Sequence, residues 1–222
     1  MTDLPDILVS DVHLTSQGCQ RSAFNRLLSL LPGRVASLKI VGDLLDSTDE
    51  SRLDEQDQWI LHKLRVLPMP VTVLPGNHDP DANQLARLTG RTVVPNLSFA
   101  SGGQNVYIEH GSRFDWAADW GWITRVGDAV GEWLHRCNMH TAADIDKIIC
   151  KHLTGCYHNV HLGMVRTAKA WNDPICIAGH THRAERHKDG YFNIGSFAIQ
   201  RPTYILISNG VPTIREFCGV QL

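Results

Sequence analysis

The sequence predicts an α/β fold: two β-sheets with flanking helices, plus a helical insertion between two of the strand-end loops. Three observations lead there. Through the first half, short apolar runs alternate with amphipathic stretches, the pattern of strands joined by helical crossovers. Each apolar run stops at a cluster of glycine, aspartate, asparagine or histidine. Residues 112–174 differ from both patterns, with several tryptophans and few β-branched runs.

In chain order, Ile7 to Ser10 is a β-branched apolar run and reads as a buried strand. Ala23 to Leu31 has helical apolar spacing, stopped by Pro32-Gly33. Leu38 to Val41 is a second strand. Leu53 to Leu67 sets Leu53, Trp59, Ile60, Leu64 and Leu67 among charges, which predicts an amphipathic helix ended by Pro68 and Pro70. Val71 to Leu74 is a third strand and Asn83 to Leu88 a short helix. Asn105 to Glu109 and Ile175 to Ala178 read as further strands. Arg183–His187, Tyr191–Ile194, Thr203–Ser208 and Pro212–Phe217 then read as antiparallel strands of a second sheet. Apolar residues recur at helical spacing over 114–136 and 141–153, so 112–174 is read as a helical insertion in a single domain spanning 1–222.

Composition narrows the function. The net charge is −2, so no global basic field argues for nucleic acid or an anionic membrane as partner. The N-terminal apolar run Ile7–Val9 is too short for a signal peptide or a membrane span, which points to a cytoplasmic protein and leaves only peripheral membrane contact open. The cysteines (Cys19, Cys137, Cys150, Cys156, Cys176, Cys218) form no CxxC pair and read as reduced thiols. Histidine is the compositional outlier, with 12 copies.

The positions of those histidines matter more than their number. Ligands of an open α/β sheet bind beyond the carboxyl ends of its strands. There the chain places Asp11-Val-His13, Gly42-Asp43, Gly76-Asn77-His78-Asp79, His110-Gly111 and Gly179-His180-Thr181-His182. Positions i and i+2 at a strand end face the same way, so Asp11 and His13, and likewise His180 and His182, lie on one side of their strand ends. A mixed set of carboxylates and imidazoles suits two neighbouring divalent transition-metal ions.

These five blocks, in this order, resemble the calcineurin-like metallophosphoesterase family, and Asn193-Ile-Gly195-Ser196 resembles its late glycine-serine turn. The resemblance implies a four-layer α/β/β/α sandwich of two mixed sheets. It implies that Asp11, His13 and His182 hold one metal, that Asn77, His110 and His180 hold a second, and that Asp43 bridges them. It further implies a phosphomonoesterase or phosphodiesterase in which a metal-bridging hydroxide attacks phosphorus. His78 would contact the phosphate and protonate the leaving oxygen, with Asn77 beside it on the substrate and Asp79 orienting His78 or its loop. Manganese is the first choice of metal, with iron or zinc as alternatives.

A narrower likeness is to the UDP-2,3-diacylglucosamine hydrolases and their relatives, carried by Ser10-Asp-Val-His-Leu14, Gly42-Asp-Leu-Leu-Asp46 and His110-Gly-Ser-Arg-Phe-Asp115. That group typically has arginine where this chain has His78 and aspartate where it has Ser112. The expected substrate is therefore a small or amphipathic phosphate ester, with the lipid-linked sugar nucleotide as an alternative. A non-catalytic metal-binding scaffold is the alternative of another class. Arg113, three residues after His110, is the expected anion-binding residue of the insertion. Asp46 reads as a helix-start acid and stays outside the metal set. A histidine/cysteine-rich stretch from His135 to His161, which includes Cys156, matches no standard zinc spacing.

Overall fold

In a computed structural model of the chain, which describes residues 4–115, 155–198 and 201–219, the first half is a run of strand–helix units. β1 (Asp6–Val9), β2 (Ser37–Val41) and β3 (Val71–Leu74) pair in parallel, with Ile7 opposite Leu38 and Ile40 opposite Val73. The crossovers are α1 (Arg21–Leu30), α2 (Glu55–Val66) and α3 (Ala82–Thr89), and the last leads into β4 (Thr92–Val93) at the sheet edge. Local chemistry sets their ends. The Asp54 side chain accepts from the Asp57 N–H and the Asp57 carboxylate accepts from the Asp54 N–H, a reciprocal cap on α2. Leu67, ahead of Pro68, is extended and ends that helix.

Side-chain alternation then builds layers. Ile7 and Val9 of β1 face α1 and α2 and pack with Phe24, Leu27, Leu28 and Leu64, whereas Leu8 points the other way. Leu8, Val41 and Leu74 meet Ile108, Ile177 and Ile194 of a second sheet to form the central core. That sheet contains β5 (Leu97–Ser101), β6 (Gln104–Ile108), β7 (Ile175–Ala178), β8 (Glu185–Arg186) and β9 (Tyr191–Asn193), in the order β5-β6-β7-β9-β8. It is mixed, since β6–β7 and β7–β9 are parallel and the two outer pairings antiparallel. On its outer face α4 (Cys156–Ala170) packs Val160, Met164 and Ala168 against Tyr107, Cys176 and Tyr191. Helices, sheet, sheet and helix make the four layers that the resemblance implies. Each fully buried aliphatic side chain contributes about 1.5–3 kcal/mol to holding them together.

The last two strands correct an expectation. β10 (Thr203–Ser208) and β11 (Val211–Glu216) form a hairpin through Asn209-Gly210, both with positive φ. They join the first sheet, not the second, because β10 pairs antiparallel with β1 and completes the order β11-β10-β1-β2-β3-β4. The hairpin is local and readable, while the edge it docks on lies at the opposite end of the sequence, with Asp6 opposite Ile207. Strand β5, absent from the sequence reading, pairs with β6 across the Gly102-Gly103 turn. Within the expected insertion, Ser112–Phe114 forms one 3-10 turn and α4 is the outer layer, while residues 116–154 lie outside the described region. Trp59, read with the apolar residues of its amphipathic helix, is exposed.

Candidate metal centre

The strand ends of the two sheets converge. The first sheet contributes Asp11 and His13 after β1, Asp43 after β2 and Asn77-His78-Asp79 after β3; the second contributes His110 after β6 and His180 and His182 after β7. Backbone hydrogen bonds lace these turns together. The N–H groups of Asp11, His13 and Leu14 donate to the carbonyls of Gly42, Asp43 and Leu44, and the Gly179 N–H donates to the His110 carbonyl. Close approach depends on glycine: a Cβ on Gly179 would sit 1.8 Å from Ser10 Oγ, and one on Gly42 would sit 2.1 Å from His110 Nδ1.

The backbone of the ligands is unusual. Asp11, His13, Asp43, His180 and His182 all adopt positive φ, between 51° and 66°. L-residues rarely do so, although aspartate and histidine tolerate it better than most. The two-residue alternation expected of an extended strand is thus achieved differently. β1 has already ended at Val9, and left-handed turns aim Asp11 and His13 at the centre while Val12 and Leu14 stay in the core.

Two clusters result. In the first, His182 Nε2 lies 2.9 Å from Asp11 Oδ1 and 3.3 Å from His13 Nε2. In the second, Asp43, His110 and His180 group together, with His110 Nε2 at 3.2 Å from Asp43 Oδ2. The same Asp43 oxygen is 3.9 Å from His13 Nε2, so this carboxylate faces both clusters. Ligands bound 2.0–2.2 Å from a single ion lie about 3.0–3.5 Å apart, which is the scale of these separations. Asp11 Oδ1 and His110 Nε2 are buried with no well-aligned hydrogen bond, as expected of atoms aimed at a cation. The donor set fits a divalent transition metal in each cluster.

Electrostatics follow from the packing. Burial lowers the His13 pKa, but its bonds to Asp11 and Asp46 and the charge of Asp43 reverse this and raise it from 6.5 to about 10. Burial opposed by Asp43 and Asp11 likewise leaves His110 at about 9. Burial pushes the Asp43 carboxyl up, and His110, His78 and His13 more than offset that, holding it well below its usual range. Asp79 goes the other way, to about 6, because burial and the neighbouring Asp43 charge outweigh the N–H groups it accepts.

The remaining predicted residues fall around these clusters. His78 is about a quarter exposed, the most accessible imidazole of the group, and its backbone N–H donates to Asp43 Oδ1. Asn77 is exposed beside it. Asp79 accepts from the N–H groups of Leu44, Leu45 and Gly76, so it ties its own loop to the Asp43 loop. Arg113 pairs with Glu109, contacts Thr167 of α4 and lies over Phe114, on the outer-helix side of the second sheet.

Three features escaped the sequence reading. Asp46 starts no helix; its Oδ1 is 2.9 Å from His13 Nδ1 and 4.0 Å from His78 Nδ1. Its spacing, three residues beyond Asp43, was the available signal. Asp115 Oδ2 lies 2.9 Å from His180 Nε2. The backbone carbonyl of Val41 faces His110 Nδ1 at 2.9 Å, so a neutral His110 carries its proton there and presents Nε2 as the ligand. The late turn also has a role: Asn193 Nδ2 donates to the Gly179 carbonyl and Ser196 Oγ to the Asp11 carbonyl, joining two ligand loops.

A sequence profile of calcineurin-like phosphoesterases matches residues 7–184, which include both clusters and His78. The chain belongs to this family. Solved structures share its fold. A protein of unknown function from Aquifex aeolicus is 15% identical over 83% of this chain and 82% of that one, with a TM-score of 0.50. A protein of Thermus thermophilus is 11% identical over 97% of this chain and 100% of that one, with a TM-score of 0.51. Vacuolar Protein Sorting 29 of Cryptosporidium parvum is 12% identical over 97% of both chains, with a TM-score of 0.50. At such identities family members share architecture alone. No curated protein matches the sequence.

Proposed function

We propose that this family member is a metal-dependent phosphoesterase with two divalent ions, acting on small or amphipathic phosphate esters. The observation that carries the reading is Asp43, whose carboxylate faces His13 of one cluster and His110 of the other. Asp11, His13 and His182 would hold one ion, and Asp43, His110 and His180 the other, with Asn77 completing the second as substrate enters. When bound, the ions supply Lewis acidity and lower the pKa of water near the phosphorus.

The chain's own residues do the rest. Asp46 holds the His13 ring so that Nε2 points at the ion, and a carboxylate behind an imidazole makes it a stronger donor. His78, accessible and anchored through its N–H to Asp43, is placed to donate a proton to the leaving oxygen. Asp79 keeps the His78 and Asp43 loops in register. Manganese, iron or zinc suits this mixed nitrogen and oxygen set.

The test is hydrolysis of p-nitrophenyl phosphate and bis-p-nitrophenyl phosphate after loading with Mn²⁺, Fe²⁺ or Zn²⁺. Metal should stimulate at least one of them. His78→Ala should lower kcat by on the order of 10²–10⁴ with metal content unchanged. A metal-loaded protein inert toward every phosphate ester tried, or one indifferent to His78→Ala, overturns the reading.

A further inference from the structure

Two residues within the expected insertion meet at a candidate metal ligand. Asp115, after the 3-10 turn, and Cys156, the first residue of α4, both lie against His180. The candidate ligand atoms of these three residues are within 4.8 Å of one another, the same spacing that defines the Asp11 and Asp43 clusters. All three side chains are buried, and His180 Nε2 is 2.9 Å from Asp115 Oδ2.

A simple hydrogen bond would explain Asp115 alone, as a carboxylate orienting a ligand imidazole. Cys156 packs in the apolar layer under α4 and brings its sulfur to the same place. Cys156 lies at the start of a fifteen-residue helix whose preceding Gly155 provides no side-chain cap, and helix N-termini favour an anion. Sulfur, nitrogen and oxygen donors together are a set that Zn²⁺ accepts in tetrahedral geometry.

We propose that Asp115, Cys156 and His180 form a third cation site, selective for Zn²⁺ or a similarly soft ion and distinct from the pair. His180 would then bridge, with Nε2 on the third ion and its other nitrogen on the Asp43 cluster. Binding releases two protons to solvent, one from the Cys156 thiol and one from the imidazole. The site shares His180 with the pair but has a signature of its own, because neither cluster of the pair contains sulfur.

Metal-stripped full-length protein titrated with Co²⁺ separates the two. Wild type should show near-ultraviolet sulfur-to-cobalt charge transfer alongside the visible ligand-field bands of the pair. Cys156→Ser should abolish the first and keep the second, and elemental analysis should fall from three zinc ions per chain to two. Asp115→Asn should weaken the sulfur-linked site at least tenfold, and Cys176→Ser should change neither signal. Zinc-edge X-ray absorption of the wild type, which needs no variant to fold, should show a sulfur neighbour. Absence of that sulfur, or charge transfer that survives Cys156→Ser, overturns the third site. Loss of the ligand-field bands in Cys156→Ser with its fold intact also overturns it, by removing the distinction from the pair. Absence of those bands in every variant would instead count against the phosphoesterase reading.

Discussion

The two sheets bring different chemistry to the centre. The first contributes Asp11, Asp43 and His13, and with Asp46 and Asp79 it is the acidic side. The second contributes imidazoles to both clusters (His110, His180 and His182), with Asp115 against His180 as the acid on that side among the described residues. Each cluster draws on both sheets, so neither sheet holds a complete ligand set. Without metal, imidazole–carboxylate pairs such as His182–Asp11 and His110–Asp43 span the seam. With metal, the ions would span it instead. A cation held at this centre would therefore cross-link the two halves of the fold.

The sharpest way to break this comparison is Asp43→Ala. It removes the one carboxylate that faces both clusters, so metal-stimulated hydrolysis should fall to background. Elemental analysis should show both ions lost or loosely held. Retention of two tightly bound ions would show that the seam closes without it.

A smaller effect separates orientation from coordination. Asp46→Asn keeps the shape but weakens the partner of His13 Nδ1. Metal affinity or kcat should drop by about 10–100-fold, the usual cost of losing such a partner. Metal affinity and kcat both unchanged in Asp46→Asn would remove Asp46 from the support of His13.

The mildest effect is thermal. His13 and His110 hold protons up to about 10 and 9 in the folded chain, against 6.5 for a free imidazole. Their stabilising contribution in the metal-free protein is complete below pH 6.5 and is lost as pH rises through 9 to 10. The Tm of metal-free protein should fall by a few degrees across that window, on the scale that about 1 kcal/mol produces. Metal-loaded protein should not follow, since the ion has already displaced the protons. Parallel curves for the two forms would mean that the imidazoles are not the ligands.

What the sequence made legible was local. Asp-x-His, Gly-Asp and Gly-His-x-His are contiguous, each ends a recognisable strand, and the aspartates and histidines proposed as ligands converge in the two clusters. Through-space partners were not legible. Asp46 resembled a helix-start acid because acids do favour first turns, yet the next helical turn begins only at Glu50 and α2 has its own cap in Asp54. Asp115 is five residues from His110 but acts on His180, and no local pattern encodes that pairing. Arg113 was placed by its distance from His110 in sequence. The strand pleat instead sends Glu109, and Arg113 with it, toward the outer helix. The β10–β11 hairpin was visible, but its sheet was decided by β1, at the far end of the chain.

The left-handed ligands have an evolutionary consequence. Each costs on the order of 1 kcal/mol relative to a relaxed backbone, and five of them weigh against a native margin of roughly 5–15 kcal/mol. Glycine would fit those backbones with less strain and would abolish the site. Selection for stability alone would drive these positions toward glycine, so aspartate and histidine persist there only under some other pressure. A lineage released from that pressure would be free to relax here first, keeping the sandwich and losing the aspartates and histidines at its seam.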